Sequence, residues 1–383
     1  MLAPSQTLLT VERRTLAALC DIATPWRELA ARAVEPNVFY DPGFALAAAP
    51  AFGCDVEAIL VWSAVSPRRL LGLFPFSVVA RRYGVKLRLM VGWTHRFAPL
   101  GTPLVDCDAC VDVIAAFLDH VAGDATLPKI LLLPLLAEAG PVAGALRRWL
   151  GRNGGACEIF DRHQRALLRP GTGRDGYLDR AIGRKRRKEL RRQRNRLAEI
   201  GPLRFAVATE PAEVAIALWD FLVLEAGGWK GRAGTAMAQH PDIRRFVEAA
   251  TGALAARGRI QVARLLCGAQ PIACVLTLRS ANGAWAWKVA YDEDFAHGSP
   301  GVQIFLDLTE TLLADQNLAF ADSCAMPGHP MIDHIWRERL DIADWLIAPA
   351  PGTAFALARR LEGARRQAVS LARTLRNRIR GGG

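Results

Sequence analysis

The strongest constraint on this chain is that it runs through one order of elements twice, at an offset of roughly 200 residues. In the first half, residues 56–62 and 70–79 are runs of β-branched and aromatic residues around the turn Ser66-Pro67-Arg68, which reads as a hairpin. A strand at 86–92, a loop, a helix over about 110–121 and a buried strand at 129–133 follow. In the second half, 260–266 and 271–279 make the hairpin, and WAWKVA (285–290) is the next strand. After the polar loop YDEDFAHGSPG, the residues Val302, Phe305, Leu306, Leu308, Thr309, Leu312 and Leu313 keep helical spacing, and LAFAD (318–322) closes the unit. A duplicated order of this kind in 383 residues predicts two α/β units.

The two copies differ in their loop chemistry. The second has His297-Gly298-Ser299-Pro300-Gly301 directly before its helix. Small residues let a ligand approach the backbone, and the N–H groups of a first helical turn have no intrahelical acceptor. With the helix dipole they attract anions, so Gly298, Ser299, Gly301 and Val302 are expected to hold a pyrophosphate. At the matching place the first copy reads THRFAPLGTP (94–103), without Ser-Pro-Gly, and is expected to be a structural partner that binds no cofactor. On the strand 285–290, strict alternation puts Trp285, Trp287 and Val289 on one face and Ala286, Lys288 and Ala290 on the other. The alanines leave room for a thin ligand arm, and Lys288 sits either at the exposed strand end or in the cleft.

Several motifs come in a telling order: Gly228-Trp229, the hairpin around Gly268-Ala269-Gln270-Pro271-Ile272-Ala273, Tyr291-Asp292 with Phe295, Ser299-Pro300-Gly301 and Phe320-Ala321-Asp322. This order resembles the acetyltransferase core of the GNAT superfamily, specifically its CelD/BcsL type, which is related to the FemABX peptidyltransferases. The resemblance covers about 184–341 closely and 26–169 more loosely. It implies an α/β fold of tandem GNAT-like domains, each a mixed, mostly antiparallel sheet flanked by helices, with the first copy degenerate. It also implies acetyl-CoA or another acyl-CoA as donor, no metal, and direct attack of an amino or hydroxyl group on the thioester. The implied acceptor is a small molecule or glycan precursor, a sugar of cell-surface or exopolysaccharide synthesis.

Site residues follow from the same resemblance. Backbone N–H groups of the central strand, Val289 and Ala290 among them, are the implied oxyanion donors. The family has an acid where Asp322 stands, implied as proton acceptor. Its Tyr-Lys pair beyond that acid is missing here, where the chain reads GHPMIDHIW (328–336). His334 could do the base work instead, oriented by Asp333 or Asp322, because imidazole titrates near neutrality. In related enzymes the loop GGWKGR (227–232) meets the acceptor, so Trp229, a face for a sugar ring, is expected to bind substrate with Tyr291 and Glu293. A FemABX-like enzyme would instead take aminoacyl-tRNA as donor.

Charge is local. The run from Arg184 to Arg196 contributes +8 and the stretch from Arg359 to Arg380 contributes +7 of a net +12, so the remainder is slightly acidic. Both are candidate contacts for RNA or an anionic membrane, and a non-catalytic binding protein built on them is the reading from another class. Turn formers at 169–176 and 348–352 divide the chain into an N-terminal domain (1–169), a basic helical connector (170–202), a C-terminal domain (203–348) and an arginine-rich tail (349–383). In the tail, Leu357, Leu361, Ala364, Ala368, Leu371 and Leu375 form one apolar stripe, and the terminal glycines 381–383 read as disordered. No apolar run reaches the roughly 18 residues of a membrane span, and eight scattered cysteines suggest reduced thiols in a cytoplasm, with the inner membrane surface as a peripheral site. Nucleophile triads, a Walker loop and zinc-ligand spacing are absent at convincing positions.

Overall fold

A computed structural model describes residues 8–171 and 175–381, with side chains through 372; the middle of the turn at 169–176 and the last two of the three final glycines lie outside the described residues. In the first half, β1 (Leu9–Thr15), β2 (Glu57–Ser63), β3 (Leu70–Val79) and β4 (Leu89–Gly92) pair antiparallel in succession. β5 (Leu104–Val105) adds to β3, and β6 (Leu131–Ala137) lies parallel to β4. β7 (Ala156–Leu168) ends this half. The second half repeats the scheme, with β8 (Leu203–Ala208), β9 (Ile260–Cys267), β10 (Gln270–Ser280) and β11 (Gly283–Tyr291) antiparallel and β12 (Phe320–Asp322) parallel to β11. β13 (Glu338–Ala348) ends the chain's sheet. The fold is therefore the expected α/β arrangement, two units of mixed, mostly antiparallel strands flanked by helices.

The two units are joined by exchange. The strand order runs β1-β2-β3-β4-β6-β13-β7-β12-β11-β10-β9-β8. β13, the last strand of the second half, lies between β6 and β7; β7, the last of the first, lies between β13 and β12. Ten residue pairs join β7 to β13, from Glu338 opposite Leu167 to Ala348 opposite Ala156, so the seam is as continuous as the hairpins. Neither 1–169 nor 203–348 closes its sheet without a strand from the other.

Helices α1 (Ala23–Arg32), α2 (Pro42–Phe52), α3 (Cys110–Gly123), α4 (Pro141–Asn153), α5 (Tyr177–Ala181), α6 (Arg184–Ile200), α7 (Pro211–Gly227), α8 (Trp229–Arg232), α9 (Pro241–Ala255), α10 (Pro300–Ala314) and α11 (Thr353–Gly381) cover the sheet. Proline opens α2, α4, α7, α9 and α10, where its missing N–H costs nothing. One core is shared by both halves: Trp26, Phe39 and Phe44 of the first pack with Phe246, Trp285 and Trp287 of the second. The opposite face carries a separate core in each half, under α3 and α4 in the first and under α6 and α10 in the second.

Both basic segments are packed. α6 buries Leu190 and Leu197, its Arg194 pairs with Asp307 of α10 at 3.1 Å, and Gln303 of α10 donates to the Leu190 carbonyl at 2.8 Å. α6 is thus part of the second half's core wall and not a free connector. α11 docks through Phe355, Ala358 and Glu362, all buried, while Leu357 and Leu371 of the expected apolar stripe are exposed. The docked face is set by a buried carboxylate, which an apolar pattern does not reveal.

Candidate active site

β11 and β12 pair for only three residues, Gly283 to Trp285 against Phe320 to Asp322. Beyond them β11 continues to Tyr291 while the other chain turns away, so the strands part and one edge of β11 is left without a strand partner. At the far side of this opening α10 begins. Its N-cap, Ser299, holds φ 52° and ψ 52°, a left-handed conformation that costs a non-glycine residue about 1–3 kcal/mol and is typical of ligand clamps. Gly301 is buried beneath Tyr291: a Cβ there would lie 3.2 Å from Tyr291 Cδ1.

The alternation expected on β11 is broken. Leu276 of β10 faces Lys288 whereas Thr277 faces Ala286, so Trp287 is an extra residue, a β-bulge. One added residue reverses the parity of everything after it. Ala290 consequently joins the aromatic core of Trp285 and Trp287, and Val289 crosses to the face of Ala284 and Ala286. The bulge also turns Lys288 onto the aromatic side, its Nζ 4.9 Å from the ring centre of Phe97 and 5.8 Å from that of Trp287.

Lys288 has no carboxylate partner among the described residues. Burial lowers its pKa to about 8, and nearby Lys230 and Arg96 push the same way against Cys324 and Glu225. Glu225 is committed elsewhere, accepting from Lys230 Nζ at 2.8 Å and from the Met237 N–H at 2.8 Å. The wall opposite Lys288 comes from the first half. Phe97 accepts a hydrogen bond on its carbonyl from Trp287 Nε1 at 2.8 Å, and the neighbouring His95 stacks on Phe52 with ring centres 4.3 Å apart. Both ring nitrogens of His95 are buried without partners, and burial, with Lys288 and Arg96, pushes its pKa down to about 3. The loop 94–103, expected from sequence to bind no cofactor, therefore packs Phe97 against Trp287 and Lys288 of the second half.

The residues expected to act fall into three groups. Trp229, Tyr291 and Glu293 line one narrow cleft with Val289 and Ala290, which brings the expected substrate and central-strand residues together. Within it Glu293 holds the loop, accepting from the Trp229 N–H at 2.7 Å and from Arg232, while the Trp229 ring is 58 % exposed. Val302 and His334 line a second groove of about 650 Å³ with Arg186 and Leu190 of α6 and Arg337. Asp322 lines neither. It is fully buried, ion-paired to Arg165 of β7 and accepting from the Cys324 N–H at 2.9 Å, while Arg165 also donates to the Pro99 carbonyl at 2.7 Å. Gly298 admits the close approach of α6: a Cβ there would lie 2.3 Å from the Leu197 side chain. Lys288 is the residue whose place sequence alternation left undecided, and only the bulge resolves it.

The family model described as the acetyltransferase (GNAT) domain matches residues 184–323, a span that begins at the first residue of α6. The fold is similar to the crystal structure of FemX, at 9% identity over 85% of this chain and 95% of that one, with a TM-score of 0.56. It is also similar to the C-terminal domain of a putative lysylphosphatidylglycerol synthetase from Agrobacterium fabrum, at 14% identity over 90% and 96% with a TM-score of 0.55. A conserved protein of unknown function from Bacteroides thetaiotaomicron has 12% identity over 89% and 100%, with a TM-score of 0.54. No curated protein sequence matches the chain. Residues 184–323 thus carry a GNAT-type acetyltransferase domain, and the chain is an acyltransferase by virtue of it.

Proposed function

We propose that the chain transfers an acyl group from acyl-CoA to an amine or hydroxyl, with the reacting atoms in the opening where β11 leaves β12. The observation that carries this is Lys288, a cation without a carboxylate partner set at that opening and faced by Phe97. The donor supplies an activated carbonyl and phosphates. The close-packed start of α10, with Ser299, Gly301 and Val302, suits the phosphates, and at Val289 and Ala290, whose consecutive N–H groups point to opposite edges of β11, one N–H turns to the free edge and is open to a developing oxyanion. Lys288 in its neutral form takes the proton of the acceptor, a task that wants a pKa near the working pH. Asp322 positions Arg165 and the turn at Cys324 in place of acting as base. His334 lies beside Val302 and two arginines, which suits contact with donor phosphates better than proton abstraction. The exposed Trp229 ring offers a sugar a stacking face, in keeping with a CelD/BcsL-type enzyme acting in the cytoplasm on a cell-surface or exopolysaccharide precursor.

One observation favours aminoacyl-tRNA as donor: the basic α6 borders the groove that reaches Val302. A thermal-shift panel with CoA, acetyl-CoA, longer acyl-CoAs and charged tRNA decides, since a ligand at about 100 times its Kd adds roughly 2.7 kcal/mol. We expect acetyl-CoA to raise the Tm of the parent and not of Gly301→Val, each measured against its own unliganded Tm because the valine must also push the Tyr291 ring aside. A shift with charged tRNA alone would select the second donor.

A further inference from the structure

α11 carries two faces suited to different surroundings. On one, Arg82 donates to both oxygens of the buried Glu362 at 2.9 and 3.2 Å, and Arg366 bridges Glu362 and Asp344 at 2.7 Å each, which fixes the helix to the sheet. At about 3.6 residues per turn, Leu357, Ala364, Ala368 and Leu371 fall on the opposite side. All four are exposed, Leu357 by 47% and Leu371 by 66%. The sequence continues the same spacing at Leu375 and Ile379. Of the eight arginines from Arg359 to Arg380, Arg359, Arg365 and Arg366 pair with Glu158, Glu362 and Asp344 on the docked side, Arg360 is exposed beside the stripe, and the one acid among them, Glu362, is turned inward. Among the described residues, the outward side thus combines an apolar stripe, the flanking Arg360 and no carboxylate.

We propose that this outward face of α11 lies on the surface of an anionic lipid bilayer, with the leucines at the acyl boundary and the arginines at the lipid phosphates. Charge complementarity selects this occupant, since a basic amphipathic helix binds by apolar burial together with attraction to anionic headgroups. A second copy of α11 would set arginine against arginine. RNA would leave the leucines unused, and its bases would find no aromatic ring on this face, because Phe355 is in the docked one. No described helix is long and apolar enough to cross a membrane, so the contact is with the surface.

Co-sedimentation of the full chain with vesicles tests this, using phosphatidylcholine alone and phosphatidylcholine with one-third phosphatidylglycerol. We expect binding to the mixed vesicles only, weakened by salt, and reduced at least tenfold in the double variant Leu357→Glu, Leu371→Glu. Both positions are exposed, so its circular dichroism and Tm should match the parent. Hydrogen exchange of the parent gives a readout independent of any variant, with new protection over residues 353–381 on adding mixed vesicles. Equal vesicle binding by parent and double variant would overturn the proposal. So would a dimer that the leucine substitutions dissociate without lipid, or RNA binding with no vesicle binding.

Discussion

Lys288 shows how one backbone irregularity decides a side chain's chemistry. Without the bulge at Trp287 it would face α10; with it, the amine stands among aromatic rings from both halves. Lys288→Met should lower turnover by about 10²–10⁴-fold, with donor affinity by isothermal titration within a few-fold of the parent. Lys288→Arg should be as slow, since guanidinium does not deprotonate at working pH; an active arginine variant would make the residue an electrostatic aid and not a base. The parent rate should rise with pH and level off above about 8, where the amine is neutral. The stability sign also follows. The folded value lies below the unfolded one, so between about pH 8 and 10.5 the unfolded chain holds the extra proton and stability rises with pH. Below pH 8 the buried cation is a cost, and Lys288→Met should melt higher than the parent there. The sequence showed the lysine but not its face, because parity counting assumes a strand without insertions. Asp322 was legible as an acid at a strand end, yet its partner Arg165 lies 157 residues away in a strand with no clear period.

Among the elements, those whose patterning is local were readable. The hairpins, α3 and α10 lie close to where periodicity and turn formers put them. β7 and β13 were not, because charged residues interrupt both and each carries a register shift where they pair, between Ile342 and Asp344. The docking of α11 was hidden for another reason, since it depends on Glu362. Burial would raise this carboxyl's pKa, but hydrogen bonds and charge from Arg82, together with Tyr83 and Arg366, hold it down to about 2. The folded value is therefore below the ordinary 4.5, and the stability it contributes is present above that value and lost as pH falls towards about 2. In that window α11 should loosen before the sheet does, seen as hydrogen exchange rising at 353–372 while β10 and β11 stay protected. Glu362→Gln should show the same loosening at neutral pH, because Arg82 and Arg366 then lose their shared carboxylate.

At the scale of the molecule, the repeat was legible and the exchange was not, since a duplicated order looks the same whether each half keeps its last strand or trades it. The trade, with the core shared by Trp26, Phe44, Trp285 and Trp287, makes one cooperative body. Calorimetry of the full chain should give a single transition with van't Hoff and calorimetric enthalpies equal, and a fragment ending at residue 169 should lack its strand circular dichroism. Two separate transitions would show that the halves melt independently. The exchange also sets a clock on biosynthesis. β6 has no neighbour on its open side until β13 is made, about 180 residues after β7 is complete. At ribosomal speeds of about 5–20 residues per second that is roughly ten to forty seconds in which the first half waits with an unpaired sheet edge. A nascent chain of this design needs that edge shielded by a chaperone, or it will pair with the wrong strand.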